Sequence, residues 1–317
     1  MLILLLYILY GSIKKLIFHV GEVRMEFILS TFLLRDAQLW FFFTITMTIA
    51  SCWVAPRWVS YLGYVLSCSL AYRYHYAEVL GFSYLLLIFL GLLAYQKVSF
   101  ISKKMLGILL TMLIFSIYLH ALPGFHNFKI IDQVKLSPDS NFYSAYVSVD
   151  KIMVGSLLLL FYCALNKSIT EWKKSLRSLP FPLLYVCALL LGTAFAMHSI
   201  KIDLKIPSIL IWWLPTNLLL VCAMEEIFYR GFIQKELTKF FASYKNKNWI
   251  ALSIAAFIFG ISHYRGGVPY IILSTLAGIG YGYVFMRSQR LESSILLHFS
   301  VNLIHILGFS YPSLLRG

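Results

Sequence analysis

The chain has 317 residues, of which 60% are hydrophobic and 13% are charged. Soluble globular domains carry about 25% charged residues, so this composition excludes an ordinary soluble domain and indicates a polytopic membrane protein. A net charge of +14 would suggest nucleic acid as the partner of a soluble protein. Here the basic residues lie in short loops between apolar segments, where they set topology. We therefore expect the lipid bilayer as a partner, and no nucleic acid.

Apolar segments recur along the whole chain. A membrane-spanning helix needs about 20 mostly apolar residues, because it rises about 1.5 Å per residue across roughly 30 Å of hydrocarbon. This template predicts an all-α fold, a transmembrane helical bundle of about eight to ten spans. The N-terminal run "MLILLLYILYGSIKK" is too short to span, and we expect an interfacial segment there or an extension upstream of a start at Met25. The predicted spans are residues 39–55, 59–71, 79–95, 105–122, 152–165, 181–197, 209–224, 250–262, 270–286 and 293–309.

Basic residues cluster in four of the loops between these spans. Two spans separate successive clusters, so all four fall on one side of the membrane, predicted to be the cytoplasmic side. The long loop of residues 123–150 falls on the opposite side. The five cysteines lie in or beside apolar runs without paired spacing, which is typical of core residues. The basic clusters are Lys97, Lys103 and Lys104; Lys167, Lys173, Lys174 and Arg177; Lys235, Lys239, Lys245 and Lys247; and Arg287 and Arg290.

The stretch "VCAMEEIFYRGF" places Glu225, Glu226 and Arg230 directly after an apolar run. On a helix, Glu226 and Arg230 are four positions apart and share a face, whereas Glu225 is rotated from them by about 100°. The spacing predicts an ion pair between Glu226 and Arg230 and leaves Glu225 available for chemistry. Ionisable residues inside a membrane helix by default mark function. The alternative is that the helix has already emerged at the interface, where charges are ordinary.

Two further motifs carry polar residues in apolar surroundings. "FIFGISHY" puts His263 at a span end with Phe259 one turn earlier, and "SSILLHFSVNLIHILGF" puts His298, Asn302 and His305 on one helical stripe. Such a stripe must face the bundle or a wet cavity. The structural alternatives are a capped interfacial histidine at position 263 and hydrogen bonds between helices along the stripe.

The residues of the three motifs supply a general base, imidazoles, hydrogen-bond donors and an ion pair, which is the inventory for acyl hydrolysis by water. The sequence has no serine nucleophile elbow and no H-E-x-x-H zinc helix. If each helix starts at its cytoplasmic loop, Glu225 and His298 fall near the inner face and His263 about 20 Å across the membrane. Tilted or broken helices are then needed to bring them together.

E-E-x-x-x-R (Glu225 to Arg230), F-x-x-x-H (Phe259 to His263) and H-x-x-x-N (His298 to Asn302), in this order, resemble the three motifs of the CPBP family. This family includes the CAAX prenyl endopeptidases of the Rce type and the lysostaphin-resistance-like bacterial members. The resemblance divides the chain into residues 1–200, a transmembrane region of unassigned role, and residues 201–317, a catalytic transmembrane region.

The resemblance implies an intramembrane endopeptidase acting on a peptide or protein substrate at the membrane. Glu225 would activate water with help from His263, and His298 and Asn302 would stabilise the oxyanion. Glu226 and Arg230 would orient the helix. The cofactor stays open: Glu225, His263 and His298 could bind zinc with one open position, but we favour a metal-free mechanism, because Asn302 is a poor zinc ligand and a good oxyanion donor.

Two other functions remain open from the sequence. One is a proton-coupled transporter in which the glutamates and histidines form a relay. The other is a catalytically inactive membrane protein that serves as an immunity or scaffold protein. For localisation we expect a multi-pass protein of the bacterial inner membrane rather than of the endoplasmic reticulum, because the chain ends "SLLRG" without a retention signal.

Overall fold

A computed structural model describes residues 36–314 of the chain. The interpretation of the N-terminal run and of Met25 lies outside these residues. The described part is mostly helical and has one pair of strands, β1 (Phe128–Val134) and β2 (Tyr143–Val147). Its helices are α1 (Asp36–Val54), α2 (Arg57–Arg73), α3 (Val79–Lys97), α4 (Phe100–Tyr118), α5 (Val149–Phe161), α6 (Ile169–Arg177), α7 (Pro180–Ala196), α8 (Leu210–Phe240), α9 (Lys247–Ile261), α10 (Gly267–Ser288) and α11 (Leu291–Gly308).

Each of the ten predicted spans coincides with a helix, but fewer helices are long and apolar enough to cross a membrane alone. Within the described residues five pass that test, namely α1, α3, α8, α10 with the turn before it, and α11. A sixth span results if α6 and α7, which meet at a 42° bend, are counted as one. The prediction of an integral membrane helical protein is confirmed, whereas the count of eight to ten spans is not.

Helix α5 shows why apolar composition overestimates the span count. It has 13 residues, too few to cross the hydrocarbon at about 1.5 Å per residue. Ten of its residues are buried, so its apolar character reflects contact with protein on nearly every side. It packs against α3, α4 and α8 in the middle of the molecule.

Helix α8 corrects the predicted span boundary at Met224. The helix continues without a break to Phe240, and stretches of wider π-helical turns, Thr216–Cys222 and Ile227–Gln234, flank the turn that carries Glu225 and Glu226. π-Helical turns within α-helices are rare and frequent at functional sites. The glutamates therefore lie in the middle of a 31-residue helix rather than at its end.

This extension also removes the conflict in depth between Glu225 and His263. Phe240 and Lys247 bound the loop between α8 and α9. Glu225 lies 15 positions before Phe240 and His263 lies 16 positions after Lys247, so at about 1.5 Å per residue both are roughly 23 Å from that loop. Straight helices can bring the two side chains together.

The loop of residues 123–150 contains a β-hairpin, so the all-α prediction is wrong for this segment. Phe128 pairs with Val147 and Val134 with Tyr143 in antiparallel register, with irregularities between them. Aromatic and β-branched residues favour strands, but the two segments have only seven and five residues and lie between long apolar helices.

Extended segments next to the hairpin enclose one end of the bundle. Asn141 donates its backbone N–H to the carbonyl of Ser313, and Leu314 donates its own to Ser199. Ser310 donates to the carbonyl of Lys201 in the same way. The hairpin, the α7–α8 connection and the segment after α11 thus form one cap over the helix ends.

Contacts between the basic clusters agree with their predicted placement on one side of the membrane. Lys103 and Lys104 from the first cluster line the same groove as Lys239 and Lys247 from the third. Arg290 from the fourth cluster pairs at 2.7 Å with Glu171, which lies on α6 among the residues of the second cluster.

Candidate active site

A buried ion pair lies at the centre of α8. Nη1 of Arg230 donates to Oε1 of Glu226 at 2.9 Å, and both side chains are fully buried. Nη2 of Arg230 donates to the carbonyl of Gly278 on α10 at 3.1 Å. The guanidinium also lies 4.6 Å from the ring centre of Phe259, a favourable cation–π distance. The pair therefore joins α8, α9 and α10.

His298 joins this pair from α11. Its Nδ1 lies 2.9 Å from Oε1 of Glu226, and its ring stacks on Tyr281 with centroids 4.5 Å apart. Because Glu226 is paired with Arg230 and its ionised carboxylate only accepts hydrogen bonds, the proton between the two groups is carried by Nδ1. The Nε2 atom of a neutral His298 is then a free acceptor.

Glu225 points into a cavity of about 650 Å³ that His263, His298 and Asn302 also line. Its side chain is half-buried, and no hydrogen-bond partner for its carboxylate is found among the described residues. The two adjacent glutamates thus have different environments, since Glu226 is paired and enclosed while Glu225 is unpaired and open to the cavity. The structure brings Glu225, His263, His298 and Asn302 together around one space.

His263 follows the last turn of α9 and is held by its own helix. Its Nδ1 lies 2.7 Å from the carbonyl oxygen of Phe259, and its ring packs against those of Phe259 and Tyr270. A carbonyl oxygen can only accept, so Nδ1 carries the proton and Nε2 is the basic nitrogen. The spacing F-x-x-x-H is explained by this bond, because a residue at a helix end reaches the carbonyl four positions earlier.

Asn302 belongs to an amide cluster that the sequence analysis missed. Its Nδ2 donates to Oδ1 of Asn217 at 3.2 Å, and the thiol of Cys222 donates to the same oxygen at 3.3 Å. Asn217 lies on the first π-helical stretch of α8 and lines the cavity. The amide nitrogen of Asn217 has no partner among the described residues. The available signal was the polar pair Thr216-Asn217 within an apolar run.

His305, the third member of the polar stripe, also lines the cavity and packs its ring against Tyr311 at 4.9 Å. It lies about two turns farther along α11 than His298, which contacts the buried ion pair. We find it next to the cap rather than in contact with Glu225.

The described part of the chain holds no grouped set of metal ligands. Within residues 36–314, no three His, Cys, Asp or Glu side chains are grouped so that they could hold a metal ion. Nδ1 of His263 and of His298 are occupied by hydrogen bonds, which leaves Nε2 of each ring as the nitrogen that could bind a metal. Because the described residues hold no grouped set of three such ligands, we derive no step from zinc.

The fold and the cavity define a helical membrane protein with a carboxylate, three imidazoles and two amides around an internal space. Residues 207–304 match the family model described as type II CAAX prenyl endopeptidase Rce1-like. This part of the chain is similar to that family, in agreement with the resemblance of its motifs, and the match includes every candidate site residue. The family is one of proteases, which supports peptidase activity. Searches of curated proteins and of solved structures found no match to the chain.

Proposed function

We propose that the protein is an intramembrane endopeptidase that hydrolyses peptide bonds of membrane-associated substrates, with water as nucleophile and Glu225 as general base. The observation that carries this proposal is the unpaired Glu225 carboxylate beside His263, His298 and Asn302 in one cavity. A carboxylate held by hydrogen bonds would be a poorer base, whereas Glu225 is free to accept a proton from water.

In this mechanism Glu225 takes a proton from a water molecule as the water oxygen bonds to the scissile carbonyl carbon. His263 orients the water through its basic Nε2, because Nδ1 is fixed by the carbonyl of Phe259. The carbon–nitrogen bond then breaks, and the proton held by Glu225 passes to the leaving nitrogen. The products are a carboxylic acid and an amine, with the glutamate restored.

The negative charge on the carbonyl oxygen needs hydrogen-bond donors. The amide of Asn302 and the unpartnered amide nitrogen of Asn217 supply two. His298 can act as a donor only when its Nε2 is protonated, since its other nitrogen is bonded to Glu226. In that form the Oε1 atom of Glu226 accepts hydrogen bonds from both Arg230 and the imidazolium, which holds His298 in place beside the oxyanion.

Helices α2 and α9 are too short to pass as spans alone, yet α2 packs along α1 and α9 along α10, which do pass. We propose that these short helices also lie within the bilayer, which would raise the number of membrane-embedded segments toward the predicted eight to ten.

The test is the cleavage of a panel of membrane-anchored peptides by the purified protein in detergent, with wild type beside Glu225→Gln. Glu78→Gln is the matched control, because the exposed Glu78 pairs with His126 away from the cavity. Wild type and the control should cleave, and Glu225→Gln should lose about 10²- to 10⁴-fold in rate. Equal cleavage by wild type and Glu225→Gln would overturn the proposal.

The same assay with a strong zinc chelator tests whether cleavage requires a metal ion. Cleavage kept in chelator and lost in Glu225→Gln is the expected result. If none of the peptides is cleaved by wild type, the transporter and scaffold functions gain support, and proton-coupled flux in proteoliposomes would separate those two.

A further inference from the structure

Strand β2 lies along the same cavity as the candidate catalytic residues. Four consecutive residues, 143–146, line the cavity, whereas β1 contributes only Ile131. Successive side chains of a strand point to opposite faces of the sheet. A cavity lined by four consecutive residues reaches both faces of the strand. It is therefore also in contact with the strand's edge.

The edge of β2 that faces away from β1 is unpaired. The described sheet has two strands, and no backbone group of residues 143–147 forms a hydrogen bond with any other described segment. Such an edge is a template for pairing with another extended chain. Proteins commonly protect an open edge with charged residues or proline, but the sequence of β2, YSAYV, contains neither.

The cap around the hairpin stops short of this edge. The segment after α11 pairs with Asn141 and forms a bridge between Ser140 and Leu314, just before β2 begins. The ring of Tyr311 contacts that of Tyr143 at 5.0 Å. The chain's own cap thus covers the N-terminal end of β2 and leaves the rest of the strand open toward the cavity.

We propose that the outer edge of β2 binds the substrate peptide in an extended conformation, as a third strand next to Glu225. This inference rests on the proposed function. A helical substrate segment uses its amide and carbonyl groups in internal hydrogen bonds, and unwinding it leaves those groups unsatisfied away from water. Pairing with β2 replaces the lost bonds, as in other cases of strand addition, and the pockets between strand and helices select alternate side chains.

The first test is a scan of backbone N-methylation along a peptide that the panel shows to be cleaved. In an antiparallel pair the N–H groups of alternate residues point to the same neighbour. N-methylation should therefore raise KM strongly at every second position around the scissile bond and weakly between them. A rise without this two-residue period, or none, would overturn the inference while leaving the peptidase function intact.

The second test places a cysteine on either strand in the Glu225→Gln background. Tyr146→Cys lies on β2, and Lys129→Cys lies opposite it on β1 and outside the cavity lining. Peptides of the panel with a cysteine near the scissile bond should form a disulfide with the first variant at least about tenfold faster than with the second, a ratio equivalent to about 1.4 kcal/mol. Equal rates would contradict binding at the β2 edge.

The two tests separate the failure of the inference from the failure of the proposed function. Cross-linking at Tyr146→Cys without any cleavage by wild type would retain the binding edge and remove the peptidase activity. Cleavage by wild type with equal cross-linking on both strands would retain the peptidase activity and remove the binding edge. If wild type cleaves no peptide and the two cysteine variants cross-link at equal rates, both the binding edge and the peptidase function are contradicted.

Discussion

Nδ1 of His298 lies 2.9 Å from Oε1 of Glu226, although the two residues are 72 positions apart in the chain. The same carboxylate oxygen accepts from Arg230. One oxygen atom thus connects α8 to α11 and, through the guanidinium and the carbonyl of Gly278, to α10. The helices that carry the candidate site are held at its buried end by this set of charged hydrogen bonds.

Glu226→Gln should lower the free energy of unfolding of the protein. Arg230 is fully buried, so removal of its carboxylate partner leaves an uncompensated charge, which typically costs about 3–5 kcal/mol. The measurement is the free energy of unfolding in mixed detergent micelles, followed by the fluorescence of buried tryptophan.

Glu78→Gln is the control for that prediction, since the pair of Glu78 and His126 is more than half exposed and exposed pairs contribute about 0–1 kcal/mol. A double variant, Glu226→Gln with Arg230→Met, should recover part of the loss, because it removes both charges. A single Glu226→Gln variant as stable as wild type would contradict the pairing.

The sequence contained the chemistry of this centre but not its position within the helix. The four-residue spacing of Glu226 and Arg230 and the positions of His263, His298 and Asn302 were sufficient to name the residues. The predicted span ends at Met224, because charges normally mark the membrane surface. That rule failed here because the charges are paired and enclosed inside α8.

Asn217 and the hairpin were not predicted for a different reason. An asparagine within an apolar run has no spacing partner in its own segment, and its contact with Asn302 depends on how α8 and α11 pack. The strands depend on pairing between segments about ten residues apart, and their short sequences are ambiguous without that pairing. Contacts that only tertiary structure creates were thus the ones missed.

Asn302→Ala should lower kcat of the proposed hydrolysis by about 10²- to 10³-fold with little change in KM, because an oxyanion donor acts mainly on the transition state. Asn217→Ala should have an effect of the same kind, and the double variant should lose less than the product of the single losses, since the two amides act together. The measurement is steady-state kinetics on a peptide of the panel.

The thermal unfolding of these variants separates catalysis from folding. Loss of activity with an unchanged melting temperature supports a role in the reaction. If Asn302→Ala instead raised KM and left kcat intact, the amide would belong to substrate binding rather than to oxyanion stabilisation.

Gly278→Ala should weaken the packing of α10 on α9. A Cβ atom at this position would lie 3.0 Å from the Cα atom and 3.1 Å from the carbonyl oxygen of Ala256, and backbone atoms cannot move aside as a flexible side chain can. The helices must separate, and the carbonyl that binds Arg230 moves with them. We expect a loss of about 1–3 kcal/mol in the free energy of unfolding, as for other overpacked cores.

Gly192→Ala on α7 is the matched control, because nothing lies within 4 Å of its Cβ position. Alanine is the better helix former by about 1 kcal/mol, so this variant should be neutral or more stable. Equal effects of the two substitutions would show that helix propensity, rather than the close approach to Ala256, determines the outcome at Gly278.

Asp203 should make the cap above the cavity sensitive to acid. The hydroxyl of Ser137 on the hairpin loop and the ammonium of Lys205 hold the pKa of the Asp203 carboxyl below its ordinary range. The ionised form therefore stabilises the cap fully above the ordinary pKa of about 3.9, and this stabilisation is lost as the pH falls through the lowered pKa of the folded state. Hydrogen exchange of the amides of residues 135–142 measures it.

In this experiment Asp203→Asn should exchange faster than wild type at pH 6, and the difference between the two proteins should shrink as the pH falls below about 4. Asp139→Asn is the control, because the pair of Asp139 and Lys201 is about half exposed and contributes little. A difference between Asp203→Asn and wild type that stays constant down to pH 3 would contradict the role of the ionised carboxylate. The effect would then come from the shape of the side chain alone.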